Sequence, residues 1–147
     1  MHAHEEAGTR PVKWLVSIGS GIMIAFGVWH FFVPGIWDWY AHIDADATEL
    51  VIAVRAINVF FSLLMVLLGL ANLLLTFRER QDRYSLAVLL SVSTVLWAVR
   101  CILQVIHPQG SQQPGLALGM LLTFVFVFAC FAGALGLTIV RRATRST

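Results

Sequence analysis

The sequence predicts an all-α integral membrane protein: a four-helix bundle with both termini on the cytoplasmic side and a short interfacial segment in its first outer loop. Three observations carry this expectation. Of the 147 residues, 59% are hydrophobic and 12% charged, whereas roughly a quarter of a soluble domain is charged. Four apolar stretches reach the ~20 residues that a spanning helix needs, and they are too continuous for the alternating strands, each about ten residues, of a membrane barrel. The basic residues also fall on one side of that topology. Arg10 and Lys13 precede the first span, Arg78, Arg80 and Arg83 fill the loop after the second, and Arg141, Arg142 and Arg145 follow the fourth. Neither outer loop has a lysine or arginine, and the first carries Asp38, Asp44, Asp46 and Glu49. By the positive-inside rule both termini are cytoplasmic, in a multi-pass protein of a plasma or bacterial inner membrane.

The helices are expected over about residues 13–33, 47–77, 84–107 and 115–141, in one domain covering 1–147. The leading MHAHEEAGTR contains two glutamates. The apolar run behind it is longer than the ~7–15 residues of a signal peptide's core and is followed by tryptophans, so helix 1 reads as a retained span. His2 and His4 then belong to a loose terminus. Pro34 and Gly35 are expected to stop helix 1. Trp29, Trp37, Trp39 and Tyr40 form an interfacial belt, and Trp37, Asp38, Trp39, Tyr40 and His42 a lid along the outer surface.

In DATE, Asp46 and Glu49 have capping-box spacing and should open helix 2. From there to Phe77 the chain spans roughly 45 Å, more than the hydrocarbon core, so helix 2 must tilt or project. RERQDR is a short turn, His107 and Pro108 end helix 3, and Pro114 is placed to begin helix 4. The TRPVK and RRATR segments abut spanning helices and read as topology anchors, with no nucleic-acid partner.

Cys101 and Cys130 lie at depths that differ by roughly 10 Å, too far for a disulfide, and read as small apolar fillers. Small residues four apart recur: Gly21 and Ala25, Gly115 and Gly119, Ala129 and Gly133, Ala132 and Gly136. The expectation is that they let helices of this chain approach one another, in preference to a homodimer.

Sorting polar residues by helical face gives three stripes. Arg55, Asn58, Ser62, Met65, Gly69, Asn72 and Thr76 line helix 2. Ser93, Trp97, Arg100, Gln104 and His107 line helix 3, and Ser20, Met23, Gly27 and His30 line helix 1. Polar stripes on spanning helices turn from lipid toward partners or a wet cavity, so the three should face each other. The candidate ligand-binding residues are Arg55, Asn58, Arg100, Gln104, His30, His107 and Trp97, gathered in the outer third. Arginine keeps its charge. Arg55 and Arg100 therefore call either for the acids of the first outer loop or for a ligand oxygen: a lipid phosphate, a quinone carbonyl or a haem propionate. His30 and His107 are the candidates for metal or haem, without an accompanying HxxxH or CxxC pattern. The sequence offers no catalytic triad, no phosphate-binding loop and no acid within the spans, which speaks against a hydrolase, a nucleotide-binding enzyme and a proton-coupled pump.

Residues 27–37, GVWHFFVPGIW, resemble the G-x-x-H-F-x-x-P pattern of DoxX-like bacterial membrane proteins through Gly27, His30, Phe31 and Pro34. The resemblance extends to size and four-helix topology. It implies a compact inner-membrane bundle, linked in some members to quinone reduction or found beside other redox proteins. Three functional expectations follow. The first is a non-catalytic accessory or scaffold subunit whose partners are membrane lipids and other membrane subunits, or itself. The second is a quinone- or lipid-binding, redox-associated module. The third is haem or metal electron transfer through His30 and His107.

Overall fold

The computed structural model describes residues 2–44, 46–78, 83–110 and 113–143. The chain runs α1 (His2–His30), α2 (Val33–Ile36), a 3-10 turn (Trp39–His42), α3 (Thr48–Phe77), α4 (Arg83–Ile106) and α5 (Pro114–Ala143), with no strand among the described residues. Four segments are long and apolar enough to cross a membrane: Arg10–His30, Thr48–Phe77, Arg83–Ile106 and Pro114–Val140.

The apolar residues are distributed as a bilayer requires. Leu74 and Phe60 are 72% and 77% exposed, while Ser20, Ser62, Asn72 and Ser93 are fully buried. Lipid tails are as apolar as leucine, so helix association rests on packing and on polar ties between helices. The three stripes read from the sequence do turn inward, with two exceptions: Arg55 and His107 are exposed. The core between them is filled by Val16, Met23, Leu90, Trp97, Phe124, Val127 and Phe131.

Helix α1 packs between α3 and α5, α4 packs on α5, and α3 packs on α4 less extensively than these neighbours do. The α1–α3 contact is the closest because glycines stand on both sides. A Cβ added at Gly27 would lie 2.8 Å from the Cβ of Met65, and one at Gly69 would lie 2.6 Å from Ile24 Cγ1. Lys13, its ammonium 5.7 Å from the Phe77 ring centre, joins the same two helices at the Lys13 end of α1.

The structure corrects several expectations. The small pairs mostly do not line internal seams: Gly21, Ala25, Gly115, Gly119, Ala129, Gly133 and Gly136 are exposed and Ala132 is half-buried, although a Cβ at Gly133 would touch Leu15 of α1 at 3.4 Å. A Cβ at Gly21, Gly115, Gly119 or Gly136 would meet nothing within 4 Å. Four-residue spacing puts two small residues on one face without saying which face, and here that face points outward. The capping box is also absent. The N-cap of α3 is Ala47, with no side-chain cap, so Glu49 falls one position short of the place the box requires. Asp44 Oδ1 instead accepts from the Asp46 backbone N–H at 3.0 Å.

Helix α1 stops at His30, four residues before Pro34. A proline ring clashes with the carbonyl four residues back and supplies no N–H to it, which accounts for the break at that point. Pro34 then lies in the opening turn of α2 rather than marking a stop. At the other end α1 extends back to His2, where the sequence reading left a loose terminus. Both cysteines are free, as expected.

Candidate functional site

The end of the bundle where α1 finishes and α3 begins is built on a cluster of rings. Phe26 of α1, Trp97 of α4 and Phe124 of α5 meet with centroid separations of 6.2 Å for Phe26–Trp97, 5.6 Å for Trp97–Phe124 and 5.4 Å for Phe26–Phe124. These are the tilted and edge-on arrangements aromatic pairs prefer. Above them, the half-buried His30 packs 4.8 Å from Phe61 and 6.3 Å from Trp39. Its Nδ1 makes a long contact of 3.5 Å with Ser62 Oγ, and Asn58 lies beside the same ring. The Ser62 hydroxyl donates to the Asn58 carbonyl at 2.7 Å. Ser62 therefore offers His30 a lone pair, which places the imidazole hydrogen on Nδ1 by hydrogen-bond matching.

The lid follows from one backbone choice. Asp38 adopts φ 49° and ψ 44°, a left-handed conformation that aspartate tolerates better than most residues. The chain there turns so that Trp39 comes back over His30, while Trp37 stacks edge-on against Trp29 at 5.8 Å. Trp37 and Trp39 are themselves 6.5 Å apart. Trp37, Trp39 and Tyr40 are half-buried, whereas Asp38 and His42 face outward.

The two arginines part company. Arg55 is exposed, and its guanidinium sits 5.2 Å over the Tyr40 ring, which makes it a clasp on the lid. Arg100 turns inward, half-buried, 4.4 Å from the Phe124 ring centre and hydrogen-bonded to Gln109 Oε1. Both partners of Arg100 are neutral. With Phe26, Phe61, Met65, Leu96 and Trp97, Arg100 lines a cavity of ≈ 10 Å³, about the volume that one water-sized group needs. Trp97 is 1% exposed and its indole N–H has no hydrogen-bond partner. Two residues that carry N–H donors, Arg100 and Trp97, thus border one small chamber with apolar walls between α3 and α4. Leu96 also borders a shallow groove of ≈ 490 Å³ on the outer face of α4, lined by Ser91, Val92, Val95, Leu96 and Val99.

Gln104 is buried, and its amide goes to main chain. Nε2 donates to the carbonyls of Gln109 at 3.1 Å and Ala117 at 3.3 Å, and Oε1 accepts from the Gln109 N–H at 3.3 Å. It fastens the α4–α5 connection to the first turns of α5. His107 is exposed just past α4. Among the described residues no group of three or more His, Cys, Asp or Glu side chains could hold a metal ion.

Of the sequence candidates, the fold gathers His30 with Asn58, and Arg100 with Trp97, and it puts Arg55 and His107 outside that chamber. Phe26, Phe61, Met65, Phe124 and Gln109 were not among the candidates. The aromatic and apolar ones carry no signal in a hydrophobic helix, and Gln109 belongs to a loop of interchangeable polar residues. No family model, curated protein or solved structure matches the chain.

Proposed function

We propose that the chain is a non-catalytic membrane module that binds an amphiphile through an oxygen acceptor in the outer half of its bundle. One observation carries the reading. Arg100 and Trp97 border the same small apolar chamber, and the buried Trp97 indole N–H has no hydrogen-bond partner. A buried donor without an acceptor loses about 1–3 kcal/mol, and an acceptor brought by a ligand would recover it. The dimensions favour a lipid over a quinone. A chamber of ≈ 10 Å³ admits one oxygen-bearing group, far below the ~300 Å³ at which ring-sized ligand pockets begin. The neighbouring groove on α4 offers an acyl chain a bed of Val92, Val95 and Val99. Haem or metal transfer between His30 and His107 finds less support, since His107 is exposed and His30 is engaged with Ser62 and Phe61.

The test is lipid retention. Wild-type protein purified in mild detergent should carry lipid by native mass spectrometry, and Arg100→Leu and Trp97→Phe should lose it while keeping the helical spectrum. Equal lipid content in all three proteins would sink the reading.

A second reading, an accessory subunit of a larger membrane assembly, is favoured by the outward small residues. On α5, Gly115, Gly119, Ala129, Gly133 and Gly136 are all exposed, and such surfaces let another helix approach closely. Cysteines introduced at Gly119 and Gly133 should cross-link to a partner or a second copy in native membranes; absence of any adduct argues against it. The distribution of arginine supports cytoplasmic termini, which labelling of cysteines at Arg78 and His42 from either side would check.

A further inference from the structure

We propose that Gln109 is a built-in competitor for Arg100: its side-chain oxygen occupies the guanidinium and must turn aside before a ligand can bind. This inference rests on the acceptor-binding reading above and names how that site is regulated and which head it admits.

Three observations support it. First, the Gln109 side-chain oxygen accepts from the guanidinium of Arg100, a residue that borders the chamber. Second, the Gln109 main chain is held from both sides by Gln104, on its N–H and its carbonyl, while Gln104 is also tied to Ala117 of α5. Gly110 follows with φ +74°, a turn that suits glycine. The backbone is therefore fixed, and only side-chain torsions remain to open the latch. Third, Gln109 is exposed, so its amide can rotate into the polar layer and be hydrated there.

The chemistry of the exchange sets the ligand class. Replacing the amide oxygen by a neutral carbonyl trades one neutral acceptor for another and gains little. Replacing it by an anionic oxygen gives a charge-assisted bond about twice as strong. The latch lowers the affinity of every head alike, and Arg100 itself supplies the preference for an anionic head on an acyl chain over a neutral carbonyl. A phospholipid phosphate and a fatty-acid carboxylate share this chemistry.

The full chain in dodecyl maltoside is titrated with dioctanoyl phosphatidylglycerol, with palmitate and with the neutral carbonyl probe decylubiquinone, with binding read by native mass spectrometry. Wild type should bind at least one anionic probe on the order of tenfold more tightly than the neutral one. Because an internal competitor lowers the binding-competent fraction for every ligand alike, Gln109→Ala should strengthen all bound probes by a common factor, on the order of tenfold. Gln109→Glu, whose carboxylate pairs with Arg100, should weaken them. Neither variant touches the main-chain clamp, so both should fold. Whether phosphatidylglycerol or palmitate responds identifies the head as phosphate or carboxylate.

Unchanged or weaker binding in Gln109→Ala, with binding lost in Arg100→Leu, overturns the competitor and leaves the site standing. Tighter binding of decylubiquinone than of both anions overturns the anionic class. Full binding in Arg100→Leu removes the site itself.

Discussion

The side-chain amide of Asn72 donates to the hydroxyl of Ser93 across 2.8 Å, and both residues are fully buried. This bond ties α3 to α4 along their less extensive seam. Inter-helical hydrogen bonds in membranes are worth about 0.6 kcal/mol on average and up to about 2. Asn72→Leu should lower the unfolding free energy by about that much in a detergent-denaturation titration. Ser93→Ala should do the same, and the double variant should lose little more than either alone. Additive losses would mean the bond is not what joins the helices.

Glycine substitutions should divide by face. Gly69→Leu forces a side chain against Ile24, and overpacking costs roughly 1–3 kcal/mol. Gly119→Leu projects into open space and should leave thermal stability in detergent unchanged. A similar melting temperature for both variants would contradict the close α1–α3 approach.

Gln104 predicts a local effect. With leucine there, the Gln109 N–H loses its acceptor, so its hydrogen exchange should accelerate while exchange in the α1–α3 interface stays slow. Protection at Gln109 that survives Gln104→Leu would show that another group holds the loop.

Arg55 clasps the lid through Tyr40. An exposed cation–π contact is worth about 0.5–1 kcal/mol, so Arg55→Ala should barely change global stability. Iodide quenching of tryptophan emission should nevertheless rise as Trp37 and Trp39 loosen. Quenching equal to wild type would assign Arg55 to the surface alone.

Much of this architecture is legible in the sequence because a bilayer imposes two strong constraints, apolar length and polar satisfaction. The spans follow from the first, and the inward turn of Ser20, Ser62, Asn72 and Ser93 from the second. Arg55 escapes the same logic: it continues the stripe in spacing but lies near the start of α3, where a long side chain reaches the surface and finds Tyr40. The outward direction of the glycines is not legible, because periodicity fixes relative faces and only tertiary neighbours decide which face is inside. The chamber itself depends on Phe26 and Phe61, whose rings are indistinguishable in sequence from the other phenylalanines that face lipid. Arg100 and Trp97 were visible as polar exceptions, whereas the role of Gln109 depends on a clamp between residues 104 and 109 that only coordinates reveal.

Asp38 belongs to an acidic outer loop, yet its left-handed backbone assigns it a purpose independent of charge. Asparagine or glycine, both uncharged, can take that conformation, whereas glutamate keeps the charge and meets a left-handed penalty of roughly 1–2 kcal/mol. Asp38→Asn should therefore preserve the emission maximum of the lid tryptophans, and Asp38→Glu should shift it. At this position the shape of the main chain, rather than the sign of the residue, is what substitution must conserve.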